Sequence, residues 1–158
     1  MTNYIKIING DLLLAKEKYI IHQCNCITSN PGTLAKDLFN KFPYANTYKF
    51  RKRFDKTTFD IPGSIDIMGD GKKERYIINL YSQIYPSKPR SYEDSFENRV
   101  TYFREGLDKI SQIKNITSIA MPYNIGCGIA GGDWNLYYKE IENFADKIKL
   151  PVILYKFP

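Results

Sequence analysis

A chain of 158 residues with 43% hydrophobic composition can bury one substantial core, so a single domain over residues 1–158 is expected. Its net charge of +6 favours an anionic ligand or partner, without choosing between a nucleotide and a nucleic acid. No apolar run approaches the roughly twenty residues that cross a bilayer, and no export signal is visible, so a cytoplasmic location and no membrane partner are expected.

Taken in chain order, Tyr4 to Ile8 reads as a first strand and Tyr19 to Cys24 as a second. Asn30 then resembles a helix N-cap with Pro31 at the first helical position, opening a helix through Leu34, Leu38 and Phe42. A short second helix is expected over Tyr44 to Arg53, and the basic run Lys49 to Lys56 reads as the solvated face of a helix. Ser64 to Met68 and Arg75 to Tyr81 are strands around a Gly-Asp-Gly turn. Phe96, Val100, Phe103, Leu107 and Ile110 mark a long amphipathic helix. Ile116 to Met121 is a buried strand, Trp134 to Ile148 a last long helix, and Pro151 to Phe157 a closing strand. Strands alternating with helices imply helices on both faces of a mostly parallel sheet. Ligands in such folds sit beyond the C-terminal ends of the strands, where the loops Asn25 to Thr33 and Tyr123 to Asp133 stand.

The second of these loops carries the most chemistry. Four of the ten glycines fall between Gly126 and Gly132, between an apolar strand and a helix. Glycines in such a place let backbone N–H groups approach a phosphate or pyrophosphate. Gly126, Gly128 and Gly131 match the spacing of a dinucleotide fingerprint. That fingerprint needs a following strand and an acidic residue about twenty positions on. Here the next strand closes the sequence with Lys156, so a nicotinamide or flavin site is rejected and no cofactor is expected.

Three cysteines, Cys24, Cys26 and Cys127, are expected as reduced thiols. Cys24 and Cys26 are too close for a zinc pair and His22 is the only histidine, so no metal site is expected.

Three segments then fit together: Asn9 to Leu12 after the first strand, Ile21 to Cys26 leading into Pro31 to Ala35, and Met121 to Ala130. Their order and spacing resemble the macro domain family, which binds ADP-ribose and its derivatives. The branch most similar holds the ADP-ribose 1''-phosphate phosphatases and the ADP-ribosyl-glutamate hydrolases. The resemblance implies a three-layer α/β/α fold with a mixed, mostly parallel central sheet. It implies an ADP-ribose ligand or derivative, with an ADP-ribosylated macromolecule as a further partner and no requirement for nucleic acid.

By that resemblance Asp11 accepts the adenine amino group, with Leu12 beside it, and Asn25 bonds the distal ribose. Gly32, Thr33 and Leu34 match a first phosphate loop, although many members carry three or four glycines where this chain has one. Gly126, Cys127, Gly128, Ile129 and Ala130 match the second, with Ala130 where many relatives place an aromatic residue.

Catalysis at the distal ribose needs a held water or nucleophile and a group that moves a proton. The candidates are His22, Asn25 and Asp133. His22 also reads as a satisfied core histidine, Asp133 as a helix N-cap and Cys127 as a small loop residue rather than a nucleophile. The hydrolases that use a lysine place it after the central strand, and Leu80 to Ile84 offers none there; Lys88 follows in a loop. Hydrolysis of a 1''-phosphate is therefore ranked first. Release of ADP-ribose from protein or nucleic acid and a non-catalytic binding module are the alternatives, with a basic RNA-binding domain as a further one.

Overall fold

The computed structural model describes residues 4–158. Six strands, β1 (Ile5–Asn9), β2 (Tyr19–Cys24), β3 (Ile65–Met68), β4 (Tyr76–Tyr81), β5 (Ile119–Pro122) and β6 (Val152–Lys156), form one sheet in the order β1-β6-β5-β2-β4-β3. Neighbours run parallel except β3, which returns antiparallel along β4. The C-terminal ends of β1, β6, β5, β2 and β4 therefore share one edge of the sheet.

Side-chain alternation along the central strands builds two cores from one sheet. Tyr19 and Ile21 of β2, with Ile78 and Leu80 of β4, meet α2 (Phe96–Ile110) and α3 (Trp134–Ile148) through Phe103, Leu107, Tyr137, Ile141 and Phe144. Ile20 and Cys24, with Ile77 and Tyr81, face the other way onto α1 (Thr33–Lys41) through Leu38 and Phe39. Buried on both faces, β2 and β4 read as near-continuous apolar runs, as central parallel strands do.

Three details depart from the sequence expectation. The first helix starts two residues late, with Gly32 in extended backbone as its N-cap (φ −107°, ψ 160°). The preceding loop explains this, because Thr28 Oγ1 donates to Asn30 O (3.2 Å) and so holds the chain outside helical geometry. No second helix forms over Tyr44 to Arg53. Two single 3₁₀ turns, Pro43–Ala45 and Tyr48–Phe50, stand there instead. Ala45, Tyr48 and Arg51 are all buried, a spacing of three that fits the tighter turn rather than an α-helix. The run from Lys49 to Lys56 is likewise no helical face, and Arg51 inside it is only 4% exposed.

Candidate functional site

The loops after β2, β4 and β5 enclose a cavity of about 350 Å³, within the size range of small-molecule sites. Asn25, Gly32, Thr33, Leu34, Gly126, Gly128, Ile129 and Ala130 all line it, as do Gln23, Tyr48, Gln83 and Ser87. Segments about a hundred residues apart in sequence thus share one wall because β2 and β5 are neighbours in the sheet.

The backbone on two sides of this cavity is short of acceptors. Within the second loop, Cys127 N–H donates to Asn124 O, Gly131 N–H to Gly128 O and Gly132 N–H to Gly126 O, each at 3.0 Å. The N–H groups of Gly126, Gly128, Ile129 and Ala130 make no hydrogen bond to any described residue. Across the cavity, the first intrahelical donor of α1 is Lys36, which reaches Gly32 O (3.2 Å). This leaves Gly32, Thr33, Leu34 and Ala35 with free N–H groups at a helix N-terminus. Partial positive charge from both sides suits a diphosphate. Thr33 adds strain, holding φ +36° where a β-branched residue is out of place.

Asn25 is tied down by its own loop. Its Oδ1 accepts from the N–H groups of Ile27 and Thr28 (both 3.0 Å) and from Arg51 Nη1 (3.0 Å), and its Nδ2 donates to Thr28 Oγ1 (2.9 Å). One amide N–H is left to donate to a ligand. Arg51 is the hub of this arrangement. It also donates to Asn25 O (2.6 Å) and Thr28 O (2.9 Å), pairs with Asp60 (2.8 Å) and lies 3.9 Å over the Tyr48 ring. Sequence reading missed it, because one buried arginine inside a basic run carries no pattern of its own.

A second buried pair supports the opposite wall. Arg99 and Asp94 bond at 2.7 Å with side chains 1% and 0% exposed. Asp94 accepts from the N–H groups of Ile84 (2.9 Å) and Tyr85 (3.0 Å), and Arg99 donates to Ser87 O (2.7 Å) and Tyr85 O (3.1 Å). Gln23 and Gln83, also missed, join side chains at the strand ends, and Ser82 Oγ donates to Gln23 Oε1 (2.6 Å). Their only sequence signal was their position at the ends of β2 and β4.

Other expected site residues stand off the cavity wall. His22 is 1% exposed, packs edge-on against Phe39, and has Nε2 2.6 Å from Asn79 Oδ1. Asn79 Nδ2 donates to Ala45 O (2.9 Å), which turns its Oδ1 toward the imidazole and makes Nε2–H the donor. Asp133 is exposed and caps α3, accepting from Asn135 N–H (3.0 Å). Asp11 caps a 3₁₀ turn after β1, accepting from Leu13 N–H (2.9 Å) at the same sheet edge as the cavity, with Leu12 buried beside it. Cys127 is half-buried, and burial pushes its thiol up to about 12, so it is no thiolate. Among the cavity-lining residues, Tyr48 and Tyr123 are the only side chains that ionise.

Burial pushes the His22 imidazole down from its ordinary 6.5 to about 4. Between those values the unfolded chain binds a proton that the folded chain does not. The contribution of neutral His22 is therefore fully present above pH 6.5 and is lost as pH falls toward 4. Urea denaturation at neutral pH and near pH 4.5 is expected to show His22→Gln losing roughly 2 kcal/mol less than the parent over that interval. Equal losses would remove His22 from the acid response.

No family model matches the chain. An uncharacterised 17.5 kDa protein from the tk-vs intergenic region of Enterobacteria phage T4 is 25% identical over 152 residues, covering 94% of this chain and 95% of the phage protein. Among solved structures, the macrodomain of Mycobacterium tuberculosis DarG is similar over 98% of this chain and 97% of its own, with a TM-score of 0.71 and 20% identity. Thermosipho africanus DarTG in complex with ADP-ribose is similar over 99% of this chain and 42% of its own, with a TM-score of 0.70 and 16% identity.

Proposed function

We propose that this chain, which has the macrodomain fold, binds ADP-ribose or a derivative in the cavity beyond β2 and β5. The observation that carries this reading is the two sets of acceptor-free N–H groups, those of Gly32 to Ala35 and those of Gly126 and Gly128 to Ala130, bordering one cavity. A diphosphate between them satisfies donors that otherwise face water, and the remaining amide N–H of Asn25 is left for a ribose hydroxyl. Asp11, whose Oδ2 makes no hydrogen bond to a described residue, supplies an acceptor for an exocyclic adenine amine.

The finer reading is removal of a 1''-phosphate from the distal ribose. With no carboxylate or imidazole among the described residues of the cavity wall, a water attacks phosphorus, its proton passes by way of a phosphate oxygen to the leaving 1'' oxygen, and the bond from phosphorus to that oxygen breaks to give ADP-ribose and inorganic phosphate. Gln23, Gln83 and Asn25 are among the polar side chains on the wall that can orient that water, with Thr33, Ser87 and Asn124. A second reading, release of ADP-ribose from a macromolecule, is favoured by Lys88. A Cβ built on Gly131 falls 3.4 Å from Lys88 Cγ and 3.5 Å from its Cε, so the lysine lies against the second loop. Its nitrogen can attack the anomeric carbon of the distal ribose as the bond from that carbon to the macromolecule breaks, the leaving atom taking the proton that the nitrogen gives up, and water then frees ADP-ribose from the lysine.

Calorimetric titration with ADP-ribose tests the binding, and absence of heat with a folded protein would sink it. Phosphate release from ADP-ribose 1''-phosphate that persists in Lys88→Ala selects the first activity. Release of ADP-ribose from a modified oligonucleotide or protein, lost in Lys88→Ala with ADP-ribose binding kept, selects the second.

A further inference from the structure

The segment that follows Tyr48 presents two phenylalanines to solvent, Phe50 at 68% and Phe54 at 88% exposure. A cation lies over each ring, Lys49 Nζ 5.2 Å from the Phe50 centroid and the Arg53 guanidinium 5.0 Å from that of Phe54. Lys52 and Lys56 are exposed beside them. None of these four cations has an ion-pair partner among the described residues. Of the two carboxylates that adjoin these residues in sequence, Asp60 pairs with Arg51, and Asp55 accepts at Oδ1 from Thr57 N–H (3.1 Å) and Thr57 Oγ1 (2.5 Å).

The backbone holds this arrangement at a conformational cost. Asp55 N–H donates to Lys52 O (3.0 Å), closing a turn whose third residue, Phe54, has φ +66°. That position of such a turn favours glycine, and a bulky residue there is strained. Thr58 braces the turn through Lys52 N–H, which donates to its Oγ1 (2.8 Å), and buried Arg51 anchors the segment to Asn25. An apolar ring is thus kept in water on a strained, braced turn, and nothing in the fold uses it.

We infer that residues 49–56 form a docking surface for single-stranded nucleic acid, with Phe50 and Phe54 stacking bases and Lys49, Lys52, Arg53 and Lys56 meeting phosphates. Interleaved exposed aromatics and unpaired cations are the makings of a sequence-tolerant single-strand site. The cation over one face of each ring leaves the other face for a base. A membrane surface fits less well, since the two rings are separated by exposed charges and lie on no amphipathic helix. The inference does not rest on the cavity reading.

Fluorescence anisotropy with a labelled single strand of about 12 nucleotides tests it in the full chain. Binding is expected to weaken with salt, with a log–log slope near −2 to −3 for four cations. Phe50→Ala and Phe54→Ala are each expected to weaken binding about tenfold, whereas Phe54→Tyr retains it. Phe54→Gly is the decisive variant: it removes the ring and relieves the turn, so thermal stability holds or rises while oligonucleotide affinity falls. ADP-ribose titration is expected to be unchanged in all four variants, which separates this outcome from that of the cavity. The inference is overturned if the parent does not bind the strand, if Phe54→Gly binds as tightly as the parent, or if an equal-length duplex binds as well. Recruitment to anionic phosphatidylserine vesicles in place of the oligonucleotide also overturns it.

Discussion

Gly126→Ala is expected to destroy ligand binding and to destabilise the fold together. Gly126 holds φ +76°, and a Cβ there falls 2.5 Å from Cε2 and 2.7 Å from Cζ of Tyr137, and 2.9 Å from Gln23 Oε1. None of these neighbours can yield easily. Tyr137 is 1% exposed and packed against Phe103 with ring centroids 4.9 Å apart, and Gln23 is held by Ser82 and Gln83. The loop has to move instead, breaking the Gly132 N–H to Gly126 O bond and scattering the free N–H groups of Gly128 to Ala130. Left-handed strain and overpacking together give about 3 kcal/mol of destabilisation. ADP-ribose affinity is expected to fall by about a hundredfold, since several charge-assisted hydrogen bonds depend on one loop geometry. Gly128→Ala is the control: a Cβ there meets nothing within 4 Å and its φ is not left-handed, so stability should hold. Calorimetry and thermal denaturation of both variants check this. Parent-like affinity in Gly126→Ala would mean that the loop does not contact the ligand.

Arg99→Ala is expected to cost about 4 kcal/mol, the usual result of stripping one partner from a fully buried ion pair. Asp94 is left 0% exposed with only two backbone N–H groups for its charge, and the carbonyls of Tyr85 and Ser87 lose their donor. In a domain of this size that corresponds to a fall of about 10 °C in Tm. The loss reaches the cavity as well, because Pro86 and Ser87 form part of its wall. ADP-ribose affinity should therefore drop even where the variant remains folded. The pair Lys147 and Asp108, 3.7 Å apart with both side chains 57% exposed, supplies the comparison: Lys147→Ala should change stability by less than about 0.5 kcal/mol. Urea midpoints of the two variants measure the difference. An Arg99→Ala protein within 1 kcal/mol of the parent would show that the buried pair is dispensable.

Much of the architecture was legible because hydrophobic period is a local property. The strand over Tyr19–Cys24 and the helices over Phe96–Ile110 and Trp134–Ile148 follow directly from apolar spacing. The two loops beyond the strand ends were legible as loops, the second through its glycines, and the cavity brings together Asn25, Gly32 to Leu34, Gly126 and Gly128 to Ala130. The segment from Pro43 to Arg51 was not legible. Its aromatic and basic residues suit a helix by composition, and only contacts with distant Asn25, Asp60 and Tyr81 force it into 3₁₀ turns.

The sequence by itself determined the alternation of strand and helix and the glycine-rich turn at Gly126 to Gly132, since each depends on residues adjacent in the chain. Only the tertiary structure decided where charge and chemistry lie. It buried His22 against Asn79, spent Asp133 on capping α3, and drew Arg51 and Arg99 inward as supports of the two cavity walls. The physical reason is the same in each case. Whether a polar side chain meets water, a ligand or a buried partner is set by neighbours far away in sequence, and spacing along the chain carries no record of them.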